Sequence, residues 1–371
     1  MARVTDDIRA TVADGVGHVT LDRPKALNAL SYEMIRELSA VFEAWRTDSE
    51  VGLVLLDGAG ERGFSAGGDI RELREMALAG RADDAQAFFR TEYRLDAMIA
   101  EYPKPVVAIM DGVTMGGGIG LAGHASVRVV TERSRVAMPE TRIGFTPDVG
   151  GTWLLAKAPG ELGVYLALNA VTMDAADAIH AGFADFLVPS GDLGHLAQAL
   201  AERADPGSPP EIVMLFDETP GPSGLALRRD WIDACYSAPT VAEIIARLRA
   251  FAAGEEREGL LLTASESIDA DAAAHAAAAA DELEALSPTG LSVTLAAVRR
   301  SRTLPSLRDA LEQEFRAVTW FIGQHDLLEG IRAQVVDKDR DPKWNPARLE
   351  DVDAAAVERL LATPLEQPVW P

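Results

Sequence analysis

Three glycine-bearing turns constrain this chain more than any other feature: FSAGGDI at 64–70, MGGGIG at 115–120 and DVGG at 148–151. Glycine is the residue for a positive φ, and for places where a backbone must come close to another group. A single turn of this kind is also what an ordinary tight turn looks like. Here the strand-like runs lead into Gly-rich turns and then into segments with helical spacing. That alternation describes an α/β layer fold. It aims backbone N–H groups and helix N-termini at a shared cleft.

The first elements can be read residue by residue. In IRATVADGVGHVTLDRP two alternating runs flank Asp14-Gly15, a hairpin signal. In ALNALSYEMIRELSAVFEAWRTD the apolar residues Met34, Leu38, Val41, Phe42 and Trp45 recur at helical spacing, with Ser31 as N-cap. VGLVLLDGAG and KPVVAIMDG read as buried strands, and VRVVTERSRVAMPE as one or two more. AGGDIRELREM and DDAQAFFRTEYRLDAMIAEYP read as helices, the second ending at Pro103. The alternation runs to about residue 190, so residues 1–200 are expected to form the core. Residues 201–225, which include the Pro/Gly-rich DPGSPPEIVMLFDETPGPSG, read as a connection. Residues 226–371 read as mainly helical, including the alanine-rich DADAAAHAAAAADELEALSP, which Pro288 is expected to break.

Charge and composition narrow the function. With 35 Lys+Arg against 58 Asp+Glu, the net charge is -23, which argues against nucleic acid or an anionic membrane as partner. A small anionic ligand needs only a local cluster of donors. The single cysteine, Cys235, excludes an internal disulfide and a Cys-based metal site. The six histidines show no H-x-x-x-H or HExxH spacing, so no metal is expected. There is no Gly-Lys-Ser/Thr P-loop and no complete dinucleotide fingerprint at GGGIG, and GFSAG around Ser65 comes without the paired His that a serine hydrolase needs. The N-terminus lacks an apolar signal region and no run of about 18 apolar residues exists, so a cytoplasmic location and no membrane span are expected.

Two acids stand out. Glu140 and Asp148 lie eight residues apart in MPETRIGFTPDVGGTW, each preceded by proline. That spacing does not fit one helical face. Glu140 reads either as a turn acid or as a working carboxylate. Asp148 reads either as the N-cap of VGGTWLLA or as a second working carboxylate.

Together, RPKALNAL, FSAGGDI, PVVAIMDGVTMGGGIGLAGH and MPETRIGFTPDVGGTWLLAKAPG resemble the crotonase (enoyl-CoA hydratase/isomerase) superfamily over about residues 5 to 190. The resemblance implies a crotonase-like spiral of ββα units followed by a mainly helical C-terminal region. It implies an acyl-CoA substrate whose thioester carbonyl enters an oxyanion hole made by the N–H groups of Gly68 and Gly117. Coenzyme A is part of the substrate, and no separate cofactor is implied. Substrate-binding positions carried over are Lys25 for a CoA phosphate, Ala26 and Leu27 for adenine, Ala66 on the adenine side, Asp69 and Gly116 beside the hole, and Lys338 from the C-terminal part. Two-glutamate hydratases carry their first glutamate where this chain has Gly120; Glu140 fills the second position. FFRTEYRLD and HDLLEGIRAQVVDKDRDPKWNP extend the likeness to the branch of the family that hydrolyses short 3-hydroxyacyl-CoA thioesters. Glu140 would then attack the thioester or activate water, and Asp148 would orient the 3-hydroxyl or the water. The alternatives are a hydratase or isomerase using Glu140 alone, and a non-catalytic acyl-CoA-binding protein. The family also implies a homo-oligomer, a trimer, a hexamer or something smaller.

Overall fold

The computed structural model describes residues 6–202, 208–255 and 270–370. Among the described residues eight strands carry the core: β1 (Ile8–Ala13), β2 (Val16–Leu21), β3 (Leu53–Gly58), β4 (Val106–Met110), β5 (Val113–Met115), β6 (Val127–Val130), β7 (Arg135–Ala137) and β8 (Phe186–Leu187). β1 and β2 form the expected hairpin, with Ala13 opposite Val16. Asp14 and Gly15 both take positive φ, 50° and 78°, as the tight hairpin turn requires. From β2 onward the main sheet is parallel, in the order β1-β2-β3-β4-β6-β8. β5 and β7 pair in a second, small parallel sheet.

The order explains the spiral. After β4 the chain crosses to the second sheet as β5 and then turns into a helix. After β6 it does the same through β7. Bridges Ser65↔Thr114 and Val136↔Met173 extend the small sheet by one contact on each side. Thus VRVVTERSRVAMPE supplies two strands that belong to different sheets. Each crossover delivers a Gly-rich turn to the same side of the molecule.

Five helices shape the site: α1 (Tyr32–Trp45), α2 (Ile70–Leu78), α3 (Ala82–Ala100), α4 (Gly117–Gly123) and α5 (Gly151–Lys157). Ser31 caps α1, its side chain accepting from Met34 N at 3.2 Å. α1 buries Met34, Ile35, Leu38, Phe42 and Trp45 against the sheet. α3 packs against α1 on one side and on α4 on another, so its buried stripe reaches the glycine turns.

Past residue 208 the described chain is helical. The expected connection contains two short helices, Pro209–Val213 and Gly224–Leu227. Residues 203–207 and Asp269 lie outside the described residues. Pro288 does not merely break the alanine-rich helix Ala270–Ala285. It opens the next helix, Pro288–Ser301, at its first turn, where a missing N–H costs nothing. Ser287 caps that helix at Gly290 N, 3.0 Å.

The C-terminal helices brace the site. Helix His325–Ile331 meets the Ile143-Gly144 turn so closely that a Cβ at Gly330 would stand 2.2 Å from Ile143 O. Asp326 ties the same region together, accepting from Ser287 Oγ at 2.5 Å and Asn345 N at 2.7 Å. The Gly330→Ala variant should therefore lose about 2 kcal/mol of stability through overpacking. It should also lower turnover, because Ile143 lies between Glu140 and Asp148 in sequence. Urea unfolding and kcat measured on the same preparation check both.

Candidate active site

Two glycine turns meet face to face. Gly67 has φ 93° and Gly116 φ 49°, values that favour glycine. A Cβ at Gly67 would stand 3.1 Å from Gly117 N, and one at Gly117 would stand 3.2 Å from Gly68 N. The N–H of Gly117 is at the first position of α4, where no intrahelical acceptor exists. Neither that N–H nor the N–H of Gly68 has a hydrogen-bond partner among the described residues.

The first turn is anchored from below. Asn28 is fully buried; its Nδ2 donates to the carbonyls of Ala59, Gly63 and Phe64 at 3.0–3.1 Å, and its Oδ1 accepts from Arg23 N at 2.9 Å. Ser65 Oγ donates to Asn28 O at 2.9 Å and accepts from Gly67 N at 3.1 Å. Ser65 is thus spent on holding the backbone.

Over these turns lies a cavity of about 560 Å³. It brings together Ala26, Ala66, Gly68, Asp69, Gly116, Gly117, Glu140 and Asp148 from the sequence-based set. Asp69 also caps α2 and pairs with Arg23 at 2.9 Å. Lys25, Leu27 and Lys338 do not line the cavity. Lys25 and Lys338 are exposed, and the Leu27 carbonyl accepts from Ala66 N at 2.9 Å, tying the two segments together.

Glu140 and Asp148 are both buried, 7% and 5% exposed. A Cβ at Gly116 would stand 3.1 Å from Glu140 Oε1, which places this carboxylate beside the second glycine turn; its Oε2 has no partner among the described residues. Burial, and then the charge of Asp148, push Glu140 well above the ordinary carboxylate range. Burial pushes Asp148 up to about 7, against the opposing hydrogen bond from Tyr93 OH to its Oδ2 at 2.9 Å. The side chain of Asp148 does not cap α5. Glu314, from the helix Leu307–Phe321, does that instead, accepting from Gly150 N at 2.7 Å and Thr152 N at 2.9 Å. Burial raises Glu314 to about 8.

The turn bearing Asp148 is strained. Val149 is β-branched yet has φ 53°, a conformation that costs about 1–3 kcal/mol. His124 Nε2–H donates to Val149 O at 2.9 Å and helps hold it. Burial lowers His124 to about 4, which keeps the ring neutral, in keeping with a packing and capping role.

Helix α3 supplies groups that sequence reasoning missed. Glu92 lines the cavity and is 2% exposed; Asp96 is fully buried with both oxygens unpartnered. Burial raises both well above the usual range, with neighbouring carboxylates adding to it. None of Glu92, Asp96, Glu140, Asp148 and Glu314 forms an ion pair with Lys or Arg among the described residues. A Cβ at Gly120 would stand 2.8 Å from Asp96 Oδ1 and 2.8 Å from Val149 Cβ. A glutamate at 120 therefore has no room. A signal for α3 was available: Ala85, Phe88, Phe89, Glu92, Tyr93 and Asp96 share one helical stripe, so the two acids interrupt an apolar face. Glu314 likewise sits on the apolar stripe of Leu311, Phe315 and Val318. The other missed contributors are Arg71, Arg142, Gln334 and Val335. Arg23 is paired with Asp69, and Arg142 with Glu282. Arg71 donates to Val335 O at 2.9 Å and has no carboxylate partner among the described residues. No group of three or more His, Cys, Asp or Glu among the described residues is arranged to hold a metal ion.

Fold and site together define a protein that places two unpaired N–H donors and several buried carboxylates around one acyl-sized cavity. The enoyl-CoA hydratase/isomerase family model matches residues 16–361, and the chain belongs to that family. It is 36% identical to the mitochondrial 3-hydroxyisobutyryl-CoA hydrolase of Gallus gallus, over 95% of this chain and 88% of that protein. Among solved structures it resembles a carnitinyl-CoA dehydratase from Mycobacterium thermoresistibile, 44% identical over 98% of each chain with a TM-score of 0.87. It also resembles an enoyl-CoA hydratase from Rhodobacter sphaeroides 2.4.1, 41% identical over 97% of this chain and 98% of that one, with a TM-score of 0.84. These likenesses establish the crotonase fold.

The buried acids make stability depend on pH. Asp148 and Glu314 hold their protons more tightly folded, near 7 and 8, than unfolded, near 3.8 and 4.5. The stability tied to those protons is complete below the unfolded values and is lost as pH rises through the folded ones, at up to about 1.4 kcal/mol per pH unit per proton. Urea unfolding should show the free energy falling from about pH 4 to about pH 8, with a shallower fall in Glu314→Gln. Tyr93→Phe removes the donor that favours ionised Asp148. The acid limb of the kcat/KM profile should move to higher pH by about one unit.

Proposed function

We propose that this chain hydrolyses a short 3-hydroxyacyl-CoA thioester, first of all 3-hydroxyisobutyryl-CoA, releasing the hydroxy acid and CoA as in valine breakdown. The enzyme class, an acyl-CoA thioester hydrolase, is supported by the curated relatives of that name. The observation that carries the reading is that Glu140 and Asp148 face the same cavity as the free N–H groups of Gly68 and Gly117, while Gly120 leaves no space for a further acid.

In this reading the thioester oxygen accepts from both N–H groups. Negative charge grows on it as the carbonyl carbon becomes tetrahedral, and each donor contributes about 2.7–4 kcal/mol to that state. Glu140 provides the lone pair, either to the carbonyl carbon itself or to a water whose proton it takes. Asp148, steadied by Tyr93, holds the 3-hydroxyl or the water. Collapse breaks the C–S bond, and the thiolate leaves as CoA, taking a proton from one of the two acids; where Glu140 itself attacked, water then cleaves the Glu140–acyl anhydride, its O–H proton passing to a carboxylate, and frees the hydroxy acid. Arg71, with no carboxylate partner among the described residues, offers its charge to the phosphate-bearing part of CoA; Arg23 and Arg142 stand nearby on the cavity wall. In a chain of net charge -23 these local cations matter. The chicken relative is mitochondrial, which does not favour a cytoplasmic location. Among the described residues no helix is long and apolar enough to cross a membrane.

A second reading has its own support. The two solved structures described above carry hydratase and dehydratase names. It would use Glu140 alone to add water across a double bond. Purified protein given 3-hydroxyisobutyryl-CoA and, separately, crotonyl-CoA decides between the two. Free thiol should appear from the first while the conjugated absorbance of the second stays constant. Glu140→Gln should lower the rate of thiol release by about 10³-fold, in the range for a removed general base. Loss of crotonyl absorbance with no thiol would replace the hydrolase reading with the hydratase one.

A further inference from the structure

Glu314 fills a role that belongs by position to Asp148. Asp148 opens a tight turn: Gly151 N donates to Asp148 O at 2.6 Å, and Val149 and Gly150 between them have φ 53° and 76°. An aspartate at the first position of a turn ordinarily takes the N–H two residues on with its own side chain. That N–H is Gly150 N, and it is already taken, donating to Glu314 Oε2 at 2.7 Å. Glu314 Oε1 accepts from Thr152 N at 2.9 Å and from the Thr152 hydroxyl at 2.5 Å. Behind this contact Thr152 Oγ1 shares a hydrogen bond with Ser301 Oγ at 2.9 Å, and Ser301 Oγ accepts from Gln313 Nε2 at 3.1 Å. Thr152, Ser301, Gln313 and Glu314 are all buried. A satisfied polar network in the interior rigidifies what it holds, and this one holds the start of α5 and the strained turn before it. Gly150 is pressed from the other side as well: a Cβ there would stand 2.3 Å from His124 Nε2 and 2.7 Å from Leu307 Cδ1.

We propose that Glu314 is a positioning residue for Asp148: by occupying the N–H groups at the start of α5 it leaves the Asp148 carboxyl nothing to cap, and that carboxyl turns to Tyr93 and the cavity. This deepens the acyl-CoA reading and rests on it, because there Asp148 is a working acid. The Asp148 side chain has two donors within the reach of its own turn and its neighbours. One is Tyr93 OH on α3, which donates to Oδ2 at 2.9 Å. The other is Gly150 N, which Glu314 withholds. Without the Glu314 oxygens, the Gly150 and Thr152 N–H groups would be buried and unpaired, and the nearest carboxyl able to answer one of them is that of Asp148. An Asp148 that caps α5 no longer faces the acyl group. The ionisable groups around it are Glu92, Tyr93 and Asp96 on α3, Glu140 on the preceding segment, Glu314 behind the turn, and His124 at the end of α4, which holds Val149 O. Glu314 itself touches no substrate in this scheme, and no bond to it is made or broken.

Glu314→Gln and Glu314→Asp test this. Glutamine keeps an oxygen within reach of Gly150 N but no charge; aspartate keeps the charge but falls short by a methylene. Both are first checked for thermal midpoint and circular dichroism. Glu314→Gln should stay within about tenfold of the parent in kcat, and Glu314→Asp should fall by about 10²-fold with little change in KM. In a crystal structure of Glu314→Asp the Asp148 carboxyl should have left Tyr93 OH and accept from Gly150 N; in Glu314→Gln it should stay on Tyr93. A pH profile reads the same coupling in solution. Tyr93→Phe moves the acid limb of the parent, and should leave it in place in Glu314→Asp, where Tyr93 no longer holds Asp148; loosened packing alone would not uncouple the two. Should Glu314→Asp not fold, Glu314→Met takes its place with the same expectations. A parent that releases no thiol rejects the hydrolase reading, while the place of Asp148 in the variant structures still decides this proposal. Asp148 remaining on Tyr93 in Glu314→Asp, or equal losses of kcat in the two variants, overturns it.

Discussion

The site depends on two backbone turns that approach each other closer than side chains would allow. Gly67 and Gly117 each lack a Cβ where one would stand within 3.1–3.2 Å of the other turn's N–H. That approach is what turns two ordinary loops into a pair of convergent donors. It is secured by parts that never meet a substrate. Asn28 and Ser65 fix the first turn from beneath, and the pairing of β5 with β7 fixes the second. On the proposed reading the donors are thus aimed before any ligand arrives, and a donor that need not reorganise is worth more to a developing charge than one that must.

Around this pair the protein buries an uncompensated set of acids. Glu92, Asp96, Glu140, Asp148 and Glu314 come from three separate segments, α3, the loop between β7 and α5, and the helix Leu307–Phe321. A buried charge without a partner is costly, so the cluster persists by keeping protons and by taking donors from Tyr93, Thr152 and the α5 N-terminus. The same burial that taxes stability spreads the pKa values of neighbouring acids. Spreading is what allows one carboxyl to accept a proton while another stays neutral. The C-terminal helices belong to this arrangement because one of them delivers Glu314 and another clamps the loop between Glu140 and Asp148.

Much of this was legible in local sequence. The Asp14-Gly15 hairpin, the Ser31 cap and the glycine turns are short-range features, and each forms where its residues dictate. Glu140 and Asp148 stood out because their spacing in a Pro/Gly-punctuated loop fits no helical face, and both are buried on the cavity wall. Glu92, Asp96 and Glu314 were harder because a helix tolerates an acid anywhere on its exposed face. Only their place on an apolar stripe betrays them, and which face is buried is decided by partners far away in the chain. Pro288 shows the same limit. A proline ends one helix or starts the next, and Ser287 in front of it, rather than the alanine run behind it, was the deciding neighbour. The exposed Lys25 and Lys338 show the reverse case: a charge in a matching motif says nothing about where its flexible side chain ends.

Gly120 ties these threads together. Read alone, it is a missing glutamate. In the fold, the space a side chain there would enter is filled by the Asp96 carboxyl and by Val149, the strained residue next to Asp148. An acid at 120 would have to displace both, and with them the turn that carries Asp148. The glycine at 120 and the aspartate at 148 are thus one structural choice. On the proposed reading, that choice exchanges an acid on α4 for one on the following loop, where Tyr93 can hold it, and leaves Glu92 from α3 beside the hole. The reaction a site like this favours is then decided less by which acids the chain contains than by which direction each one enters from.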